Sequence, residues 1–72
     1  MSKYANISGE KAVKIFMKFG YLLGHQTGSH IIIYHKELPT LSVPNHKELA
    51  PNLLKSLIKK SNISLDDFIS YK

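Results

Sequence analysis

Residues 21–43, YLLGHQTGSHIIIYHKELPTLSV, contain three short apolar runs that are separated by two groups of turn residues. The runs are rich in the β-branched and aromatic residues that strands favour. In the third run, alternation places Leu41 and Val43 on one face. The connections are too short for crossovers, so the sequence predicts an antiparallel sheet. The predicted strands span residues 21–26, 30–35 and 40–43, with turns at 27–29 and 36–39.

Apolar residues recur at helical spacing on both sides of this sheet and predict three helices. Ser8 and Ser64 are suited to be N-caps, Gly20 fits the position after the first helix, and Pro51 fits the first position of the second. The predicted helices span residues 9–19, 51–60 and 65–70.

The resulting order is α-β-β-β-α with a short C-terminal helix. Two amphipathic helices on one face of a three-stranded antiparallel sheet bury one core and leave the other face open. The class is α+β, and the arrangement is that of the double-stranded-RNA-binding-domain-like fold.

The chain has 72 residues, which predicts a single domain over residues 1–72. The absence of cysteine excludes disulfides, thiolate zinc sites and a Cys nucleophile. The N-terminal residues have no apolar region of a signal peptide, and no apolar stretch approaches the ~20 residues of a spanning helix. We therefore expect a cytoplasmic protein that does not engage a membrane.

The formal net charge is +5, the pI is about 9.6, and all ten basic residues are lysines. This balance is typical of small domains that bind nucleic acids. An ordinary solubility surface is equally compatible with it. The candidate RNA-binding residues are the lysines of the two longer helices together with one histidine: Lys11, Lys14, Lys18, Lys55, Lys59 and His46.

Four histidines are the residues best suited to acid–base chemistry near neutral pH. If Thr27 and Gly28 form a two-residue turn, His25 lies directly opposite His30, whereas a three-residue turn breaks that pairing. A strand-end histidine is more often a solvated surface residue than a catalytic one. No metal-binding motif accompanies the histidines, and no nucleophile elbow or phosphate-binding glycine loop is present.

The chain resembles the HicA toxin family of bacterial toxin–antitoxin systems. The resemblance runs from the first helix to Phe68 and centres on Gly28, Ser29 and His30. The segments that carry it are Gly20-Tyr21, QTGSH at 26–30, VPNH at 43–46, LLKSLIKK at 53–60, and Ile63-Ser64 with Phe68. The chain departs from the family at His25, where Arg is common, and at Asn52-Leu53-Leu54, where Gly-Thr-Leu is usual.

The resemblance implies the fold predicted above and a ribosome-independent endoribonuclease that cleaves mRNA and arrests growth. It implies that His30 is the catalytic residue and that a HicB-like antitoxin binds the toxin and masks its site.

A histidine is a suitable general base for removing the proton of an RNA 2′-OH, and no metal or other cofactor is expected. Gly28 would serve the turn, Ser29 would orient His30 or bind a phosphate oxygen, and His25 would act as the acid or as a phosphate contact. Two alternatives remain open. One is a non-catalytic RNA-binding module of the same fold, and the other is a domain that binds only an acidic protein.

Overall fold

The computed structural model describes residues 3–72 and confirms the α+β class and the α-β-β-β-α order. Met1 and Ser2, which begin the segment for which no signal peptide was predicted, lie outside the described residues. The elements are α1 (Gly9–Met17), β1 (Leu22–Thr27), β2 (His30–Tyr34), β3 (Leu41–Pro44), α2 (Pro51–Lys60) and α3 (Leu65–Ser70). The strands form one antiparallel sheet in the order β1-β2-β3.

The helix ends follow the expected capping chemistry. The Ser8 hydroxyl accepts a hydrogen bond from the Lys11 amide, and the Ser64 hydroxyl accepts one from the Asp67 amide, both at 3.0 Å. Helix α1 ends at Met17, two residues earlier than predicted. Residues 18–20 instead continue in tighter turns, in which each amide bonds the carbonyl three residues before it. Gly20 follows at φ +99°, a conformation that favours glycine.

The sheet has one covered face and one open face, as predicted. Ile31 and Ile33 of β2 are buried under the helices, while His30, Ile32 and Tyr34 project to the opposite face. The core is completed by Leu41 and Val43 of β3, the tilted ring pair Phe16–Phe68, and further apolar side chains from all three helices.

Strand β1 is the least covered element, because all six of its residues are exposed. It pairs with β2 only, and its register shifts between Leu23 and His25, which leaves Gly24 as a bulge. Leu23 consequently lies opposite Ile33, on the covered side, where it borders α1. Met17 of α1 lies in the same region and remains 44% exposed.

His25 does not pair with His30, because the Thr27-Gly28 turn on which that pairing depended does not form. The hairpin has a two-residue turn, but the turn residues are Gly28 and Ser29, so Thr27 lies opposite His30 and His25 lies opposite Ile32. Because the turn lies one residue further along the chain, His25 is diagonal to His30 across the two strands. Residues in that relationship share a face, with a typical separation of about 7–8 Å.

The two ends of the described chain lie together. The Lys72 ammonium donates hydrogen bonds to the carbonyl oxygens of Lys3 at 2.9 Å and Ala5 at 3.1 Å. Within residues 3–72, none of the helices is both long and apolar enough to cross a membrane.

Candidate active site

His30 stands at the first position of β2, directly after the hairpin turn, and its side chain is exposed. Its Nδ1 lies 3.0 Å from the Ser29 hydroxyl oxygen. Within residues 3–72, no protein group bonds its Nε2. Because Nδ1 is engaged and Nε2 faces solvent, the ring presents one defined nitrogen to an incoming molecule.

His25 lies on the same open face as His30, in the diagonal position of the neighbouring strand. The Tyr34 hydroxyl is 3.4 Å from its Nδ1, and the two ring centroids are 6.4 Å apart. The open face therefore carries two imidazoles on adjacent strands, one steadied by a serine and the other by a tyrosine.

Tyr34 was not named as a site residue from the sequence, although its spacing from His30 indicated that the two share a face. It stands four residues after His30 on one strand, and side chains two and four positions apart share a face. Its ring lies across the bulged Gly24, where a Cβ on any other residue would collide with the ring atoms Cε2 and Cδ2. Glycine at this position thus provides the space that the ring occupies.

Gly28 belongs to the turn, but the turn does not require a glycine. The residue does not adopt a positive φ, and an added Cβ would meet nothing within 4 Å. The space above Gly28, beside Ser29 and His30, is open to a ligand.

His46 lies in the loop that follows β3, near the same end of the molecule. The Asn45 amide donates to the Ser29 carbonyl at 2.8 Å, and the Gly9 amide donates to the His46 carbonyl at 2.9 Å. These bonds join the hairpin turn, the loop and the start of α1. Around them lies a surface pocket of about 280 Å³, which is lined by Ser8, Glu10, Asn45, His46 and Lys47.

The candidate lysines are not gathered around His30. Both α1 and α2 cover the face of the sheet opposite to the one from which His30 projects. The Lys18 ammonium lies 5.7 Å from the centre of the Tyr71 ring, and that of Lys55 lies 5.0 Å from the centre of the Tyr4 ring. Lys11, Lys14 and Lys59 are exposed on the same helical side.

His35 has a structural role that the sequence did not reveal. Its Nε2 donates to the Phe19 carbonyl at 3.0 Å, and its Nδ1 accepts from the amides of Glu37 and Leu38 at 2.9 and 3.1 Å. Both ring nitrogens are thus occupied by backbone groups. No three acidic or histidine side chains converge as metal ligands anywhere in the described part of the chain.

Comparison with known proteins identifies the class to which this chain belongs, the toxins of bacterial toxin–antitoxin systems. The family model of the HicA toxin matches residues 9–63. The chain therefore belongs to the HicA toxin family. No curated protein matches it significantly. Membership implies that the protein is the toxin of such a system and that its partner is an antitoxin.

Proposed function

We propose that this toxin is a metal-independent, ribosome-independent endoribonuclease that cleaves mRNA in the cytoplasm and arrests growth. The observation that supports it best is the state of His30, an exposed imidazole with Nδ1 engaged by Ser29 and Nε2 open to solvent. This is the arrangement that a general base requires, since one nitrogen fixes the ring while the other accepts the proton.

The Ser29 hydroxyl can accept a hydrogen bond from Nδ1, and this leaves His30 in the tautomer that a base needs. When Nδ1 carries the proton and donates it to the Ser29 oxygen, the lone pair lies on Nε2. Nε2 then takes the proton of a ribose 2′-OH, and the 2′ oxygen attacks the adjacent phosphorus. The bond from phosphorus to the 5′ oxygen breaks. The products are a 2′,3′-cyclic phosphate and a 5′ oxygen that must gain a proton.

His25 is the group proposed to supply that proton. It shares the open face with His30 across the diagonal, at a typical separation of about 7–8 Å, which leaves room for a phosphate between the two rings. In its protonated form it also offsets the charge that develops on the phosphate oxygens. The open space over Gly28 admits the RNA backbone to this position.

The antitoxin partner is proposed to be HicB-like and to inhibit the toxin by covering the face that carries His30. The helical lysines are assigned no part in catalysis, because the sheet lies between them and His30. They contribute to the general attraction of RNA, together with His46 at the end nearest the hairpin.

The test is incubation of the purified protein with RNA in EDTA, followed by analysis of the product ends. We expect cleavage to persist, with cyclic phosphate on one fragment and a 5′-hydroxyl on the other. An RNA with 2′-O-methyl groups throughout must remain intact, because it has no 2′-OH to deprotonate.

His30→Ala is expected to abolish cleavage while the circular dichroism spectrum stays unchanged, because an exposed strand-end side chain contributes little to the core. Gln26→Ala is the matched control, since Gln26 is exposed on the same hairpin but pairs with Ile31 on the other face. RNA binding without cleavage by the wild type would favour the non-catalytic module. Activity that needs added zinc or magnesium would refute the metal-free mechanism.

A further inference from the structure

The open face of the sheet carries no carboxylate. The strands contain no acidic residue and no lysine, and their only titratable side chains are His25, His30 and Tyr34. The half-buried apolar side chain of Ile32 lies between His30 and Tyr34 along β2 and opposite His25. The face therefore combines the ring nitrogens of two histidines with an aromatic and aliphatic surface.

Tyr34 is an exposed aromatic whose position is fixed from two sides. Its ring occupies the space over Gly24, and its hydroxyl reaches Nδ1 of His25 at 3.4 Å. The ring remains 42% exposed. A large apolar surface that is both held in place and open to solvent is suited to stacking against a flat ligand.

We propose that Tyr34 is a stacking platform for an unpaired base of single-stranded RNA, adjacent to the site of cleavage. This inference rests on the proposed endoribonuclease function and names its substrate class. Stacking of bases on aromatic side chains of an open sheet is a general means of binding single strands, because every base has a π face.

The spacing indicates which nucleotide the platform holds. Tyr34 lies four positions after His30 along β2, so their backbone positions are about 13 Å apart at about 3.3 Å per residue. The stacked base therefore belongs to a neighbour of the nucleotide whose 2′-OH is deprotonated. Double-stranded RNA keeps its bases stacked inside the helix, so the platform selects for unpaired segments.

The chemistry of the face favours RNA over a protein segment as its occupant. Two imidazoles become cationic on protonation and no carboxylate opposes a phosphodiester, while Tyr34 and Ile32 suit a base. A docked acidic peptide would instead be expected to need lysines, which the strands do not contain.

The test measures the dissociation constant of a short 2′-O-methyl RNA, which cannot be cleaved, for the wild type, Tyr34→Leu and Tyr34→Phe. Removal of the ring in Tyr34→Leu is expected to weaken binding about 5- to 150-fold, the range for loss of one stacked base. Tyr34→Phe keeps the ring and must bind within a few-fold of the wild type. Tyr71→Leu is the matched control, because Tyr71 is also exposed but packs against Phe19.

Ultraviolet cross-linking of the same RNA carrying 5-bromouridine, with the attachment site mapped by mass spectrometry, is expected to label Tyr34. If Tyr34→Leu binds and cleaves RNA like the wild type, the stacking role of Tyr34 is refuted, while the proposed endoribonuclease function is supported. If the wild type neither binds nor cleaves RNA, the proposed function fails as well. If Tyr34→Leu loses only its affinity for the antitoxin, the face is a protein interface and the proposal is overturned.

Discussion

The Ser29 hydroxyl oxygen lies 3.0 Å from Nδ1 of His30, although the two residues are neighbours in the chain. The contact forms at the junction of a two-residue turn and a strand, where Ser29 ends the turn and His30 begins β2. The backbone of Ser29 is held in addition by the Asn45 amide at 2.8 Å. A serine whose backbone is held in this way can set the orientation of the imidazole beside it.

Ser29→Ala is expected to lower the single-turnover cleavage rate about 2- to 10-fold, which is the effect of losing a hydrogen bond worth about 0.5–1.5 kcal/mol. Affinity for an uncleavable RNA should stay the same, because the serine acts through His30. Ser29→Thr keeps the hydroxyl and is expected to restore most of the rate. An unchanged rate in Ser29→Ala would show that the contact does not position the base.

Substitution of two glycines by alanine is expected to have opposite effects on stability. At Gly28 an added Cβ meets nothing within 4 Å, so Gly28→Ala should leave the free energy of unfolding unchanged or raise it by up to about 1 kcal/mol. At Gly9 the added Cβ would collide with the Pro44 carbonyl oxygen, and Gly9→Ala should destabilise the fold by about 1–3 kcal/mol. Urea unfolding of both variants checks this, and equal midpoints would contradict it.

The pH profile of cleavage is expected to be bell-shaped, because one imidazole must be neutral as the base and another must be protonated as the acid. His25→Arg keeps a positive charge at every working pH and should flatten the alkaline limb. It also removes the proton donor, so its maximal rate should be lower. His25→Ala should reduce activity much less than His30→Ala. An alkaline limb that is the same in both His25 variants would place the second group elsewhere.

Burial raises the pKa of Tyr21 above its ordinary value of 10.0, and its hydroxyl donates to the Pro39 carbonyl at 2.7 Å. Because the phenol ionises more readily in the unfolded chain, this group stabilises the fold fully below pH 10, and that contribution is lost as pH rises through the raised pKa. Tyr21→Phe should cost about 1 kcal/mol at pH 7 and should lose less stability than the wild type above pH 10. Urea unfolding from pH 8 to 11 measures the difference, and parallel losses would contradict the assignment.

Local sequence patterns predicted the elements and the topology well. Helices α2 and α3 begin and end at the predicted residues, because Pro51 and Ser64 specify their starts through local backbone chemistry. The alternation in β3 correctly placed Leu41 and Val43 on one face, and in the structure this is the buried face. The family resemblance, confirmed by the match over residues 9–63, rested on the same short segments.

The geometry of the site was harder to predict. The turn was predicted within residues 27–29, but its length and register were left open, since Thr27-Gly28 and Gly28-Ser29 are both plausible turn pairs. His35 is indistinguishable in sequence from a free surface histidine, because its partner at Phe19 belongs to another part of the chain. The separation of the helical lysines from His30 depends on which sheet face the helices cover.

The single-sided pairing of β1 has a consequence for motion. His30 belongs to the central strand, which is held by neighbours on both sides, whereas His25 belongs to an edge strand whose six residues are all exposed. Opening of an edge strand costs less free energy than opening of the centre, and amides of β1 should therefore exchange with deuterium faster than those of β2. The two imidazoles thus belong to units of unequal local stability. Each local opening of β1 would separate the proposed acid from the proposed base, while His30 stays in place.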